Sequence, residues 1–285
     1  MKTKQCIAVI CLVISLLLPS CVKLELFNTA HPDKGAVVVE PDWSDALAES
    51  TVPQAYFVRV DNIECELSGK SACFPELLTP GTYNLLVYNS VDGIDISGTI
   101  AKVQKENGFL RPQPDYLFSA LKEMTVTADD TLLVEVPMVR RLCPITLNFS
   151  LLGKNAGKVA AIEASLDGIA GSVDLQSGEV GMESNAVKLD IVEKNTADGI
   201  IHEMQCRVVG VCEGKPQTLT ITLTMDGGYV CKVTSDLTSF LKGLNVSMKP
   251  IVLEGEVEAP VDGSFSATIK DWETASEENI DASLN

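Results

Sequence analysis

The sequence predicts an all-β protein built of antiparallel sandwiches, and three observations carry that reading. The first is period-two alternation. In "ITLNFSL" Ile145, Leu147, Phe149 and Leu151 fall on one face, with Thr146, Asn148 and Ser150 on the other, as in a strand with one buried and one solvated side. "LTITLTM" repeats the device, with Leu219, Ile221, Leu223 and Met225 facing inward and β-branched threonines, which suit a pleated surface, facing out. The second is punctuation: Pro80-Gly81, Asp92-Gly93, Asp167-Gly168, Asp226-Gly227-Gly228 and Asp262-Gly263 place turn signals between apolar runs. The third is a near absence of helical periodicity, which argues against α/β layers.

Taken in order, the chain opens with Lys2 and Lys4 and an apolar run from Ile7 to Leu18 broken only by Ser15. That run is too short to span a bilayer, which needs about 20 apolar residues, and reads as a secretion signal over residues 1–20. Leu18-Pro19-Ser20-Cys21 resembles a bacterial lipobox, with leucine three before the cysteine and a small residue one before it. The resemblance implies cleavage before Cys21, a thioether-linked diacylglycerol on its sulfur, and acylation of the new N-terminus. Each buried acyl CH₂ contributes about 0.8 kcal/mol, so several chains (palmitate-like in length) anchor a domain firmly.

Beyond the leader, strands are predicted at Ala36–Glu40, Tyr56–Val60, Tyr83–Asn89, Leu132–Met138, Met204–Cys212, Tyr229–Val233, Val246–Glu254 and Phe265–Ile269. "DYLFSALKEM" (115–124) and "DLTSFLKGL" (236–244) are candidate helices. One strand set closes with "TLLVEVPMV" and another opens with "PITLNFSL", which puts a boundary near Arg140-Arg141. The expected organisation is an N-terminal sandwich over 21–141, a C-terminal sandwich over 142–275 and an acidic tail over 276–285, each sandwich of ordinary domain size.

Charge and cysteine content narrow the function classes. The chain carries 22 basic and 39 acidic residues, a net charge of −17, and losing Lys2 and Lys4 with the leader makes it −19. Such a surface repels nucleic acid and anionic headgroups. Of nine cysteines, Cys6 and Cys11 leave with the leader and Cys21 takes the lipid. Cys65 and Cys73 flank "ELSGKSA", which reads as a hairpin about Gly69 that a cross-strand disulfide could bridge. Cys206 and Cys212 stand six apart, roughly 20 Å along one strand, too far for a bond.

Nothing in the sequence assembles into catalytic machinery. No CxxC pair occurs and only two histidines exist, so neither a zinc site nor any cofactor is expected. His31 and His202 lack a nucleophile signature to serve. Asp92 and Asp95 in "VDGID" read as a solvated turn rather than a calcium loop. Asp130-Thr131-Leu132 resembles an Asp-Ser/Thr-aliphatic acceptor of bacterial O-glycosylation, which marks Thr131.

Four stretches share a family resemblance. "FPELLTPGTYNLLVYN" resembles a segment of the fimbrillin and fimbrial-anchor surface lipoproteins of Bacteroides-type bacteria, the subunits of type V pili. "VEVPMVRRLCPITLNFSL" is similar to their passage between domains, "GSFSATIKDWET" to their final strand, and "LELFNTAHPDKGAVVVEPDWSD" to the opening strand of the anchor branch. The resemblance implies two tandem transthyretin-like sandwiches and a non-enzymatic role in fimbria assembly and adhesion. The implied location is the outer membrane, lipid-anchored at the cell surface, with fimbrial subunits as partners through strand addition or domain packing. Stalk subunits of that family lose their first strand to an arginine-specific protease, whereas anchors keep it. Residues 36–58 contain no arginine and the first in the chain is Arg59, which favours an anchor or accessory subunit. The alternative is a surface glycan-binding lipoprotein, which requires aromatics such as Trp43, Tyr56 and Tyr88 to line one exposed groove.

Overall fold

The computed structural model describes residues 33–48, 50–197, 199–260, 267–269 and 272–275. The first half contributes β1 (Ala36–Asp42), β2 (Ala55–Val60), β3 (Ile63–Ser68), β4 (Ala72–Cys73), β5 (Gly81–Tyr88) and β6 (Ile94–Ser97). It continues with β7 (Ile100–Val103), β8 (Lys105–Glu106), β9 (Phe109–Leu110), β10 (Phe118–Val126), β11 (Thr131–Pro137) and β12 (Val139–Arg140). The second half contributes β13 (Cys143–Leu152), β14 (Val159–Ala170), β15 (Ser172–Asp174), β16 (Ser184–Lys188), β17 (Asp190–Thr196) and β18 (Gly199–Val208). It closes with β19 (Thr218–Met225), β20 (Val230–Asp236), β21 (Ile251–Glu258), β22 (Thr268–Ile269) and β23 (Glu273–Thr274). The described helical structure is confined to short turns, among them Ala156–Lys158 and Leu244–Ser247. The protein is all-β, a set of packed sheets.

Two sheets sandwich the first core: β11-β1-β4, and β12-β10-β5-β2-β3. Val37, Val39, Val134 and Val136 point inward from the smaller sheet, each 5% exposed or less. They meet Tyr56, Val58, Val60, Leu85, Val87 and Ala120 from the larger one, whose register aligns Val58, Val87 and Ala120 across three strands. The second core lies between β17-β18-β13-β21-β22 and β20-β19-β14-β16-β9-β8. There the alternation of Ile145, Leu147 and Phe149 faces that of Leu219, Ile221 and Leu223, all 1% exposed or less.

The halves share strands. β9 pairs in parallel with β16 at Leu110 and Val187, and β15 pairs with β7 over Ser172–Asp174. Polar contacts tighten the junction. Ser119 Oγ donates to Leu175 O (2.7 Å), Arg141 Nε donates to that hydroxyl (2.7 Å), and Thr99 Oγ1 donates to Asp174 Oδ2 (2.6 Å). Arg207 donates from its backbone to Pro112 O and from its side chain to Pro114 O, with its guanidinium 4.4 Å over the Tyr116 ring. Buried Asn89 acts as a substitute for a strand: its amide donates to Tyr116 O (3.0 Å) and its carbonyl accepts from Phe118 N–H (2.7 Å), so no polar atom there loses its partner.

Several expected elements differ. The helix expected over 115–124 does not form; residues 118–126 make β10, because pairing along the whole of β5 outweighs the helical propensity of Ala, Leu, Lys, Glu and Met. In place of the helix expected over 236–244, residues 237–243 make isolated turns between β20 and the helical turn at Leu244, with Phe240 and Leu241 N–H both donating to Leu237 O. The strand expected from Val246 instead begins at Ile251, after a helical turn bounded by Gly243 and Met248 in left-handed conformations. The strand expected over 204–212 runs Gly199–Val208. Of 265–269, the described strand is Thr268–Ile269.

Gly168 sits where the register of β14 against β16 shifts between Leu166 and Ile169. Its φ is +80°, and an added Cβ would stand 2.4 Å from Pro216 O. Gly168→Ala is expected to cost about 1–3 kcal/mol through strain and overlap, measured as a lower urea midpoint with an unchanged m value. An unchanged midpoint would contradict the packing described here.

Candidate functional site

The chain's own first strand fills a slot that is the most distinctive feature of the N-terminal sandwich. β1 is apolar from Ala36 to Val39 because it is central and covered on both faces. On one side it runs parallel to β11 through seven consecutive pairs, Ala36–Thr131 to Asp42–Pro137. On the other it meets β4 antiparallel at Val38–Cys73 and Val39–Ala72. Its ends are pinned as well. Gly35 and Leu78 exchange both backbone bonds (2.8 and 2.9 Å), Ala36 N–H reaches Asp130 O (2.9 Å), and Met138 N–H reaches Asp42 O (2.9 Å). Gly35 is required by close approach, since a Cβ there would lie 2.3 Å from Thr127 O and 2.6 Å from Val126 Cγ1.

The segment after β1 folds back over the same core. Trp43, half-buried, packs edge-on to Phe118 (5.5 Å, 87°) and Tyr56 (6.4 Å, 63°). Asp45 Oδ2 accepts Arg140 N–H (2.8 Å), and Arg140 Nη2 continues to Met248 O (2.6 Å). The first strand is therefore coupled through Trp43 and Asp45 to the junction between the halves.

Arg59 lies within β2, paired to β3 on one side and β5 on the other. Its Nε donates to Glu64 Oε2 (2.6 Å), its Nη1 donates to Gly98 O (3.0 Å), and its guanidinium lies 5.9 Å over Tyr88. A protease needs several extended, unpaired residues, and this arginine has none around it. Burial, then the hydrogen bond to Glu64, pushes the Tyr88 hydroxyl up to about 12.

The other marked residues disperse. Thr131 opens β11, half-buried, with its N–H on Asp130 Oδ1 (2.8 Å). Cys65 is half-buried on β3 and Cys73 exposed on β4, both free thiols. The expected hairpin between them does not form, because β3 pairs with β2 while β4 crosses to pair with β1. Tyr56 and Tyr88 are buried, at 0% and 4% exposure, and Trp43 packs inward, so these three aromatics do not line an exposed groove. Asp92 pairs with Arg111 (2.6 Å), and Asp95 accepts from Gln104 (2.8 Å). Among the described residues, no group of three or more His, Cys, Asp or Glu is placed to hold a metal. Cys21 and His31 lie outside the described residues.

His202 has a structural setting of its own. It is 6% exposed, stacked on Phe149 (5.1 Å, 28°), and its Nδ1 lies 3.7 Å from Glu193. Burial lowers its pKa, and the charge of Glu193 offsets this in part. With the folded value below the unfolded one, the unfolded chain takes up the proton first as pH falls. Stability from this residue is thus complete above about pH 6.5 and is lost as pH falls below that value. Relative to His202→Phe, the wild-type urea midpoint should drop more between pH 7.5 and pH 5.5; parallel pH profiles would contradict this.

Residues 51–278 match the family model of the fimbrillin-A associated anchor proteins Mfa1 and Mfa2. The chain belongs to the fimbrillin-A associated anchor family. The match takes in β2 through β23 and the junction between the halves. Among solved structures, a candidate adhesin from Bacteroides ovatus aligns with TM-score 0.61 at 16% identity, over 83% of this chain and 93% of that one. The fimbrial anchor protein Mfa2 from Porphyromonas gingivalis aligns with TM-score 0.60 at 13% identity, over 85% and 97%. A candidate adhesin from Bacteroides thetaiotaomicron gives 0.56 at 10%, over 86% and 98%. At these identities the likeness establishes the fold. No curated protein matches the chain. Membership of this family supports a fimbrial accessory role, and nothing at the site shows catalytic activity.

Proposed function

We propose that this protein is a fimbrial anchor or accessory subunit that keeps its first strand and is held at the outer membrane by lipid on Cys21. The observation that carries the proposal is the occupied slot. β1 is paired on both sides, with Val37 and Val39 fully buried, and no arginine lies between Gly35 and Val58. An arginine-specific protease therefore has no cleavage point that would free β1, and Arg59 is fixed in the middle of a sheet. A subunit with a filled slot cannot accept a neighbour's strand there, which suits the end of a filament rather than its shaft.

On this reading the two cores are tandem transthyretin-like sandwiches. Cys21 stands fifteen residues before Ala36, a tether of up to about 50 Å when extended. The acidic surface keeps the body off anionic headgroups, so attachment depends on the acyl chains. Thr131 is the proposed sugar acceptor.

Immunogold labelling of intact cells beside sheared filaments tests the role. Label at the cell surface or filament base is the expected result. Label along or at the tip of sheared filaments would overturn it, and surface label on cells without filaments would shift the reading to glycan capture.

A further inference from the structure

The edges of the sheets are not equally protected. Long unpaired strand edges invite pairing with other chains, and proteins guard them with charges, inward-pointing lysines or extreme shortness. Among the described residues, β4, β8, β12, β22 and β23 are each two residues long. The longer edges carry charge, and so do β6 and β15, with Asp95 and Asp174. β3 has Glu64 and Glu66, β17 has Asp190, Glu193 and Lys194, and β20 has Lys232 and Asp236. β10 beyond its short pairing with β12 has Lys122 and Glu123. Lys122 lies opposite Leu85 and so occupies a core-facing register, yet it is exposed.

β11 is guarded least for its length. Its seven residues, "TLLVEVP", contain one charge, Glu135, and the edge-blocking Pro137 stands only at its end. The core-facing positions Leu132, Val134 and Val136 are all apolar, and Leu133 on the outer face is 54% exposed. The register with β1 runs without a bulge, so the edge is regular.

Charge decides what fits. On the outer face Leu133 neighbours Val38, whereas Glu135 neighbours Glu40, with Asp42 one pair further on. Lys70 meets Glu40 (3.3 Å) from a side chain that is 88% exposed. A second copy would bring a chain of charge −17 to an equal charge. In the symmetric antiparallel register about Val134, it would also set the two Glu135 side chains diagonally across from each other. A strand with a basic residue opposite Glu135 and an apolar one opposite Leu133 meets neither objection.

We infer that Leu132–Val136 of β11, along the edge that pairs with no described strand, are a strand-addition surface for an extended segment of another protein with the pattern basic-x-apolar, running antiparallel to β11. It differs from the first-strand slot, which stays filled. The inference rests on β1 staying in place, since β1 is the partner of β11 in the sheet and supplies Glu40 and Asp42, but not on the lipid; within the fimbrial reading the segment belongs to a fimbrial subunit.

The test uses purified full-length protein and a labelled peptide, Thr-Val-Lys-Val-Leu-Val-Thr, with binding followed by fluorescence anisotropy and amide exchange. One-to-one saturable binding that protects amides within 132–136 is expected. Glu135→Lys should weaken it about fivefold, the scale of a cross-strand charge pair, and a peptide with Glu in place of Lys should recover the loss. Leu133→Asp should weaken binding of both peptides. Both side chains are exposed, so thermal melts should show the variants folded. No saturable binding, indifference to both substitutions, or protection of another edge would overturn the inference. None of these outcomes bears on where immunogold finds the protein, so the two readings fail separately.

Discussion

Val39→Asp is expected to unfold the N-terminal sandwich. Val39 is fully buried between Val134 of β11 and Ala72 of β4, and its carbonyl lies 3.4 Å from the Tyr56 hydroxyl. A carboxylate there has no cationic partner and must either be buried charged or take up a proton, in addition to losing the valine's packing. The combined cost is about 4 kcal/mol or more, a large share of the 5–15 kcal/mol that holds a typical domain together. Exposed Asp42 at the end of the same strand is the control, and Asp42→Ala should move the urea midpoint little. If Val39→Asp melts like wild type, β1 is not the central strand of this sheet in solution.

Phe118→Ala should cost about 3–5 kcal/mol, the range for emptying a large aromatic site in a core. Phe118 is fully buried, and Trp43 stands edge-on to it at 5.5 Å. The substitution removes both the core volume and the surface on which Trp43 rests. A red shift of tryptophan emission in the folded baseline should accompany the lower midpoint. Because the chain has only Trp43 and Trp272, Trp272→Phe makes that signal specific. A loss of stability without the spectral change would mean that Trp43 does not pack here.

The sequence made the half-buried strands legible and left their partners hidden. Residues 145–151 and 219–225 alternate because each has one covered face, so period alone identifies them. The run "AVVV" is legible as a strand, but its parallel partner β11 lies 95 positions along the chain, and no local pattern encodes that distance. β14 is hidden in the sequence because its register breaks at Gly168 and its alternation breaks with it. β10 has the look of a helix because Lys122 interrupts its core-facing positions, and that charge belongs to edge protection rather than to helical spacing. Within the candidate site, the absence of arginine before position 59 was plain in the sequence. That Arg59 is itself locked between two strands, by Glu64 and Gly98, follows only from the fold.

The central claim is that the mature protein keeps its first strand. Intact mass and N-terminal peptide mapping of the protein from outer-membrane fractions test it most directly. The expected result is a chain beginning at an acylated Cys21 with Ala36–Asp42 present. A mature N-terminus beyond Asp42, with the slot opened, would contradict it.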